Sequence, residues 1–246
     1  MAGLGVHDLW AATCNYQFRF ASILACDRFR TDVTWPAQLA ATAKVLRLLA
    51  PVLRANDAHL NLETHEEITS REVVRLVEEA GPDAFGVTFD SANVVVRGED
   101  PVAAARRVAP YVRATHLRDV GLWRTADGIG RFLLPVGEGV LDWDAILAVL
   151  LVANPSVPLS VEGVIGTRAE MPLWVDDPRW YAADPDLDAH ELATLRSMTT
   201  AYEERAEAGG ALALDELRGP VDDDGALSFV VSSVEELRRV GARVAP

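Results

Sequence analysis

The sequence His59-Leu-Asn-Leu-Glu63-Thr-His65-Glu-Glu67 decides the fold, because a short apolar run ends directly in carboxylates and a histidine. Three later stretches repeat this design, namely Phe85-Gly-Val-Thr-Phe-Asp90, Val112-Arg-Ala-Thr-His116 and Pro158-Leu-Ser-Val-Glu162. Each run has the length and the apolar content of a buried strand. Strands that alternate with helices and end in polar residues predict a parallel α/β barrel, with its site at the carboxyl ends of the strands.

Helix start signals stand between the strands, which supports this alternation. Thr34 can cap a helix that has Pro36 in its first turn. Thr69 and Glu72 have the spacing of a capping box, and Asp100-Pro101 has the pattern of an N-cap followed by proline. We therefore predict an α/β fold of the TIM (β/α)8-barrel type.

Composition and charge argue against several classes of function. The chain has 246 residues, of which 50% are hydrophobic, so one domain with a substantial core is expected. The net charge of -14 argues against a nucleic-acid partner, because phosphates would be repelled. Cys14 and Cys26 are too few for a disulfide framework, and no apolar run approaches the ~20 residues that span a bilayer. We expect a cytoplasmic protein with no membrane or nucleic-acid partner.

The chain is predicted to have two regions. Residues 1–165 hold the barrel strands and the predicted metal site, and residues 166–246 hold an irregular loop, a closing helix and a tail. The stretch that follows His116 is predicted as a long loop. In the second region, apolar periodicity predicts a helix over residues 188–208 and a short final helix near residues 234–240.

Four ligand-type residues stand at successive strand ends: Glu63, Asp90, His116 and Glu162. In a barrel these ends converge on one mouth. Three carboxylates and one imidazole suit Mn²⁺ or Mg²⁺ and admit Co²⁺ or Zn²⁺. Without a cation, the clustered carboxylates would repel one another. Asp90 alone could be a cap or turn residue and His116 alone a core or surface histidine, but the four together predict a divalent metal site.

The order and rough spacing of several short motifs resemble those of the xylose isomerase-like (β/α)8-barrel superfamily of sugar isomerases and epimerases. The motifs are Leu-Glu63-Thr-His65, Phe-Asp90-Ser-Ala-Asn93, Thr-His116-Leu-Arg-Asp119, Val-Gly137-Glu-Gly-Val-Leu-Asp142-Trp143 and Val-Glu162-Gly. The resemblance covers about residues 1–165 and a helix near residues 188–208. It implies that the four ligand-type residues named above hold a divalent metal.

The resemblance also implies a chemistry. In ketose 3-epimerases of this superfamily two metal-bound glutamates act as an acid/base pair, a role that falls here to Glu63 and Glu162. Proton transfer next to a carbonyl would pass through an enediolate. We therefore expect a metal-dependent isomerase or epimerase that acts on a small sugar, polyol or sugar phosphate. Substrate contacts are assigned to four polar residues near the same strand ends: His65, Asn93, Arg118 and Arg131.

The front of the chain departs from the superfamily pattern. The glutamate that matches Glu63 lies on the fifth strand of superfamily members, so a strand within residues 3–13 would be the fourth. The first three strands would then be missing, and either the chain is a fragment or another subunit completes the barrel. An open barrel would leave edge strands unpaired, which favours association into a homo-oligomer.

Two other interpretations stay open. The same enediolate could expel a β-hydroxyl group, as in inosose dehydratases, and the protein would then be a lyase. A truncated barrel could instead keep the ligands and act as a non-catalytic binding module. Endonuclease IV activity is disfavoured, because its trinuclear zinc site needs more histidines than the five of this chain can supply.

Overall fold

A four-stranded parallel sheet forms the centre of the computed structural model, which describes residues 5–14, 26–163 and 165–244. The strands follow one another in sequence order and are β1 (Asp8–Ala11), β2 (His59–Glu63), β3 (Phe85–Asp90) and β4 (Val112–His116). All neighbouring pairs run parallel. The sheet is a parallel half-barrel, and the fold is the predicted α/β fold of the TIM-barrel type.

The helices that connect these strands begin at the predicted capping residues. Thr34 accepts a hydrogen bond from the Ala37 N–H at the start of α1 (Trp35–Ala55). Thr69 and Glu72 form a complete capping box at the start of α2 (Ser70–Ala80). A short helix, α3 (Asn93–Val96), precedes α4 (Pro101–Val108), and the 3-10 turns lie at Asp27–Phe29 and Ala109–Tyr111.

The predicted strand that ends at Glu162 is not a full strand. Only Val161 forms a bridge, which runs parallel to Leu117 just beyond β4. The Leu117 N–H donates to the Ser160 carbonyl oxygen at 2.7 Å and Thr115 Oγ1 donates to the Pro158 carbonyl oxygen at 2.7 Å. These bonds still bring Glu162 beside the end of β4.

The prediction of a long loop after His116 is wrong. The structure has an antiparallel hairpin of β5 (Asp119–Thr125) and β6 (Gly128–Leu134), to which β7 (Met171–Leu173) adds a third strand. Gly128 has a φ of 123° in the turn, and an added Cβ would lie 2.3 Å from the Leu173 carbonyl oxygen. Every residue of β6 and the first four residues of β5 are buried, so burial of apolar side chains against the rest of the molecule stabilises the hairpin.

In the part of the chain that the structure describes, five further helices follow the hairpin: α5 (Trp143–Ala153), α6 (Pro178–Ala182), α7 (Ala189–Glu207), α8 (Leu214–Leu217) and α9 (Asp223–Val244). The predicted helix over residues 188–208 is confirmed as α7. The final helix is much longer than predicted, since α9 begins at Asp223. Acidic residues in a first turn stabilise a helix through its dipole, so Asp223 and Asp224 favour a helix start.

The main apolar core lies between the parallel sheet and α1, α2, α4 and α5. Val87 and Phe89 of β3 are fully buried, as are Val73 and Val77 of α2. A smaller cluster of Phe132, Leu134, Tyr202 and Leu217 joins the hairpin to the C-terminal helices. None of the helices among the described residues combines the length and the apolar character needed to cross a membrane.

Candidate metal centre

The four predicted ligands meet at the carboxyl end of the parallel sheet. Glu63 ends β2, Asp90 ends β3 and His116 ends β4, and Asp90 pairs with His116 in register. Each of these residues and Glu162 offers one ligand atom, and the four atoms lie within 4.8 Å of one another. Parallel strand pairing therefore places residues that are distant in the sequence around one point.

Glu63 is a buried and firmly held carboxylate. The Trp10 Nε1–H donates to Glu63 Oε2 at 2.9 Å, and Glu63 Oε1 lies 3.1 Å from His116 Nδ1. The residue is only 2% exposed. Both carboxylate oxygens are thus engaged by neighbouring side chains.

Asp90 is completely buried and combines two roles. Its Oδ1 accepts hydrogen bonds from the N–H groups of Ala92 and Asn93, at 2.8 and 2.9 Å, so it caps the turn after β3. Its Oδ2 accepts from Asn93 Nδ2 at 3.0 Å and from Arg118 Nη2. Burial acts to raise the pKa of Asp90, but the charge and hydrogen bond of Arg118 hold it below its usual range.

Glu162 is the most accessible of the four ligands, since its side chain is 42% exposed. Its Oε2 lies 2.8 Å from Arg118 Nη2 and 3.7 Å from His116 Nδ1. Burial raises the pKa of Glu162 even though Arg118 acts against this shift. Burial also acts to lower the pKa of His116, but the hydrogen bond and charge of Glu63 outweigh it and raise that pKa.

The residues present fit a divalent cation. Bonds of about 2.0–2.2 Å from an ion to its ligands place two ligand atoms at most about 4.4 Å apart. The four ligand atoms lie within 4.8 Å of one another, so binding of an ion would require only small movements of the side chains. Glu162 Oε2 is buried without a hydrogen-bond partner among the described residues, although Arg118 lies at ion-pair distance. Three carboxylates and one imidazole form a donor set typical of Mn²⁺ or Mg²⁺.

The four predicted substrate-binding residues separate into two pairs. Asn93 and Arg118 both contact Asp90, so in this structure they position a predicted ligand. His65 and Arg131 both lie against Glu66, which is 3.2 Å from His65 Nε2 and from Arg131 Nη2. Arg131 is fully buried, and its Nε and Nη1 atoms have no hydrogen-bond partner among the described residues.

Three residues that contact the predicted site were missed. Trp10 donates to Glu63, Glu66 joins His65 to Arg131, and Thr64 Oγ1 accepts a hydrogen bond from the Asp90 N–H at 2.8 Å. Thr64 and Glu66 flank His65 directly after the predicted strand, so their position in the sequence could have identified them as residues near the site. Trp10 lacked such a signal, because its neighbours are ordinary apolar strand residues.

Two curated proteins are similar to parts of the chain. The 3-oxo-isoapionate decarboxylase of Pectobacterium atrosepticum is 30% identical over 120 residues, which cover 48% of this chain and 43% of that protein. The inosose dehydratase of Geobacillus kaustophilus is 29% identical over 126 residues, which cover 46% of this chain and 39% of that protein. The chain spans less than half the length of the curated relatives it matches.

The architecture also matches a solved structure. The crystal structure of a 3-keto-D-glucoside 4-epimerase from E. coli has a TM-score of 0.52 at 17% identity, over 80% of this chain and 66% of that one. At this identity the likeness shows the fold alone. The sequence profile of the xylose isomerase-like TIM barrel family matches residues 20–184. Because this match covers most of the chain, the protein belongs to the xylose isomerase-like TIM barrel family.

Proposed function

We propose that the protein is a metal-dependent isomerase or epimerase that moves a proton at a carbon next to a carbonyl. The substrate would be a small sugar, polyol or sugar phosphate. The observation that supports this most is the convergence of Glu63 and Glu162 on one cluster with Asp90 and His116. Such a cluster combines two potential proton carriers with a set of metal ligands.

Glu63, Asp90, His116 and Glu162 would hold the ion, with Mn²⁺ or Mg²⁺ favoured and Co²⁺ or Zn²⁺ also compatible with the donor set. When bound, a divalent ion makes a C–H bond next to a carbonyl more acidic and stabilises the charge of the enediolate. Arg118 contacts both Asp90 and Glu162 and would turn to the substrate when a cation takes these oxygens.

The two glutamates differ in a way that suits an acid/base pair. The side chain of Glu162 is 42% exposed, so its carboxylate would be able to exchange a proton with the substrate and with water. Glu63 is buried, and its Oε1 and Oε2 are oriented by His116 and Trp10. One carboxylate would remove the proton from the carbon, and the other would return a proton to the opposite face.

Arg131 is the residue of the predicted substrate set with the most unused hydrogen-bonding capacity. Its buried Nε and Nη1 atoms have no hydrogen-bond partner among the described residues, and guanidinium groups bind hydroxyl, carboxylate and phosphate oxygens. Asn93 and His65 would contribute contacts to the substrate hydroxyl groups. This assignment keeps the predicted set of His65, Asn93, Arg118 and Arg131.

The test follows solvent deuterium into the product at the carbon next to the carbonyl. Glu63→Gln and Glu162→Gln should each lower turnover by about 10²–10⁴-fold and abolish the exchange, because each removes a proton carrier. Glu235→Gln is the matched control, since Glu235 is an exposed residue of α9. A wild-type protein that turns over its substrate without deuterium incorporation would contradict the proposed proton transfer.

A lyase is the second candidate, and the similarity to an inosose dehydratase favours it. In that case the enediolate would expel a β-hydroxyl group as water instead of being reprotonated. Product analysis separates the two reactions, because loss of water lowers the product mass while epimerisation leaves it unchanged. Both candidates use the same first proton removal, so both predict the loss of activity in at least one of Glu63→Gln and Glu162→Gln.

A further inference from the structure

A second cluster of ligand-type side chains lies in the two loops that follow β1 and β2. Cys14, His65 and Glu67 each offer one ligand atom, and these three atoms lie within 4.8 Å of one another. The proposed proton transfer makes no use of Cys14 or Glu67. The cluster therefore needs an explanation of its own.

The cluster is held together by short contacts. His65 Nδ1 lies 2.5 Å from Glu67 Oε2, and the ligand atom of Cys14 lies within 4.8 Å of the ligand atoms of both residues. Glu67 Oε1 accepts hydrogen bonds from the Thr13 N–H at 3.1 Å and from Thr13 Oγ1. Because Thr13 and Glu67 join the two loops, the three candidate ligands are already positioned side by side.

The other side of the imidazole faces a second carboxylate. Glu66 Oε2 lies 3.2 Å from His65 Nε2 and has no hydrogen-bond partner among the described residues, although it is buried. Metal-binding histidines commonly donate their second ring N–H to a carboxylate, which sets the ring orientation. Nδ1 of His65 thus faces the candidate ligands, while Nε2 faces a group that can support it.

The chemistry of this second cluster differs from that of the predicted catalytic site. A thiolate, an imidazole and a carboxylate form a softer donor set than three carboxylates and one imidazole, and such sets select Zn²⁺ over Mg²⁺ or Mn²⁺. We propose that Cys14, His65 and Glu67 form a separate binding site for Zn²⁺, which Co²⁺ can also occupy. Binding releases the thiol proton of Cys14 and the proton held on His65 Nδ1, and a water molecule completes four-fold coordination.

The second site gives His65 a role other than the substrate contact predicted for it. A cation on His65 Nδ1 ties the β2–α2 loop to the segment after β1, through Glu67 and Cys14. Loss of turnover in a His65 variant would not distinguish the two roles. The test therefore measures the thiolate–metal bond and not activity.

The experiment adds Co²⁺ to the metal-free full chain and records the near-ultraviolet absorption that arises from charge transfer between thiolate and Co²⁺. The wild type should develop this absorption once two equivalents of Co²⁺ have been added, enough to fill both proposed sites, and Cys14→Ser should lose it. Cys26→Ser is the matched control, because the Cys26 thiol is buried and burial raises its pKa to about 12. His116→Ala should keep the absorption, which separates this site from the proposed catalytic metal.

A second measurement needs no change to the proposed ligands. In the Cys26→Ser background, Zn²⁺ should slow alkylation of Cys14 by iodoacetamide about tenfold or more, because a metal-bound thiolate is a poor nucleophile. The proposal is overturned if wild type shows no thiolate–Co²⁺ absorption, if folded Cys14→Ser retains it, or if Zn²⁺ leaves the alkylation rate unchanged. None of these outcomes depends on whether the protein is an epimerase.

Discussion

At the scale of single residues, Arg118 offsets part of the negative charge of the candidate metal centre. Its Nη2 contacts Asp90 Oδ2 and lies 2.8 Å from Glu162 Oε2. A divalent ion on the same oxygens would take over this neutralisation. Arg118 and a bound cation would therefore compete for two of the carboxylates, which makes the residue informative about metal binding.

Replacement of Arg118 by Met should destabilise the metal-free protein by about 3 kcal/mol, because the buried carboxylate of Asp90 loses its partner. Addition of Mn²⁺ should restore much of this loss, so the rise in Tm on adding Mn²⁺ should be larger in the variant than in wild type. Arg47→Met is the control, since Arg47 forms an exposed ion pair with Glu79. An equal rise in Tm in all three proteins would contradict the competition.

Trp10 offers a second test at this scale, because it orients Glu63 without being a ligand. Trp10→Phe removes the donor to Glu63 Oε2 and should weaken Mn²⁺ binding by about 10–100-fold, as is typical for groups that orient ligands. Isothermal titration of Mn²⁺ measures the change. Trp123→Phe serves as the control because Trp123 packs against the smaller apolar cluster; equal affinity in both variants would show that Trp10 has no orienting effect.

The four converging residues could be predicted because each stands at the end of an apolar run, and parallel strands bring their ends together. The two contributions of Asp90 could not be separated in advance, since a turn cap and a metal ligand occupy the same place after a strand. Trp10 could not be found, because its contact with Glu63 depends on strand register. The catalytic and metal-binding roles of the four converging residues stay predictions.

At the scale of elements, Glu99 links the start of α2 to α4. Its Oε2 accepts from the Ser70 N–H at 2.8 Å, and its Oε1 accepts from Ser70 Oγ at 2.6 Å and from Arg107 Nη1 at 2.9 Å. Burial raises the pKa of Glu99 from its ordinary 4.5 to about 7, although these hydrogen bonds act against the shift. The folded protein therefore holds this proton at a pH where the unfolded chain has released it.

The free energy of unfolding should consequently lose a contribution as the pH rises from about 4.5 to about 7, because the unfolded chain binds fewer protons in this window. Glu99→Gln lacks this titration, so the stability of the variant relative to wild type should rise between pH 5 and pH 7.5. Urea unfolding of both proteins at several pH values measures this difference in stability. The contributions of the other titrating groups are shared by both proteins and largely cancel in the difference. A difference that does not change with pH would contradict the raised pKa.

The parallel strands and their helices were predictable because apolar runs and capping residues are local signals. The β5–β6 hairpin was missed because its strands contain glycine, which is typical of turns and loops, and because it depends on distant parts of the chain. The strand β5 packs against α7, and β6 pairs with β7. Residues 158–162 were predicted as a strand but form only one bridge. The division of the chain at residue 165 stays a prediction.

At the scale of the whole molecule, β1 lies at one edge of the parallel sheet and pairs only with β2 among the described residues. Unpaired strand edges favour association with another chain. The sequence predicts a homo-oligomer, and sedimentation velocity across a range of protein concentrations measures the oligomeric state. We expect a species larger than the monomer, and a monomer at every concentration would contradict this prediction.

The cytoplasmic location and the absence of a nucleic-acid partner also remain predictions.

The binding of one Mn²⁺ per chain at the candidate metal centre is the central claim, and isothermal titration of metal-free protein with Mn²⁺ tests it most directly. Mn²⁺ prefers oxygen ligands, so the titration reports on the cluster of Glu63, Asp90, His116 and Glu162. We predict one equivalent of Mn²⁺ in wild type and none in a Glu63→Ala, Asp90→Ala double variant that keeps its far-ultraviolet circular dichroism. Equal Mn²⁺ content in the wild type and the folded double variant would contradict the assignment of this metal centre.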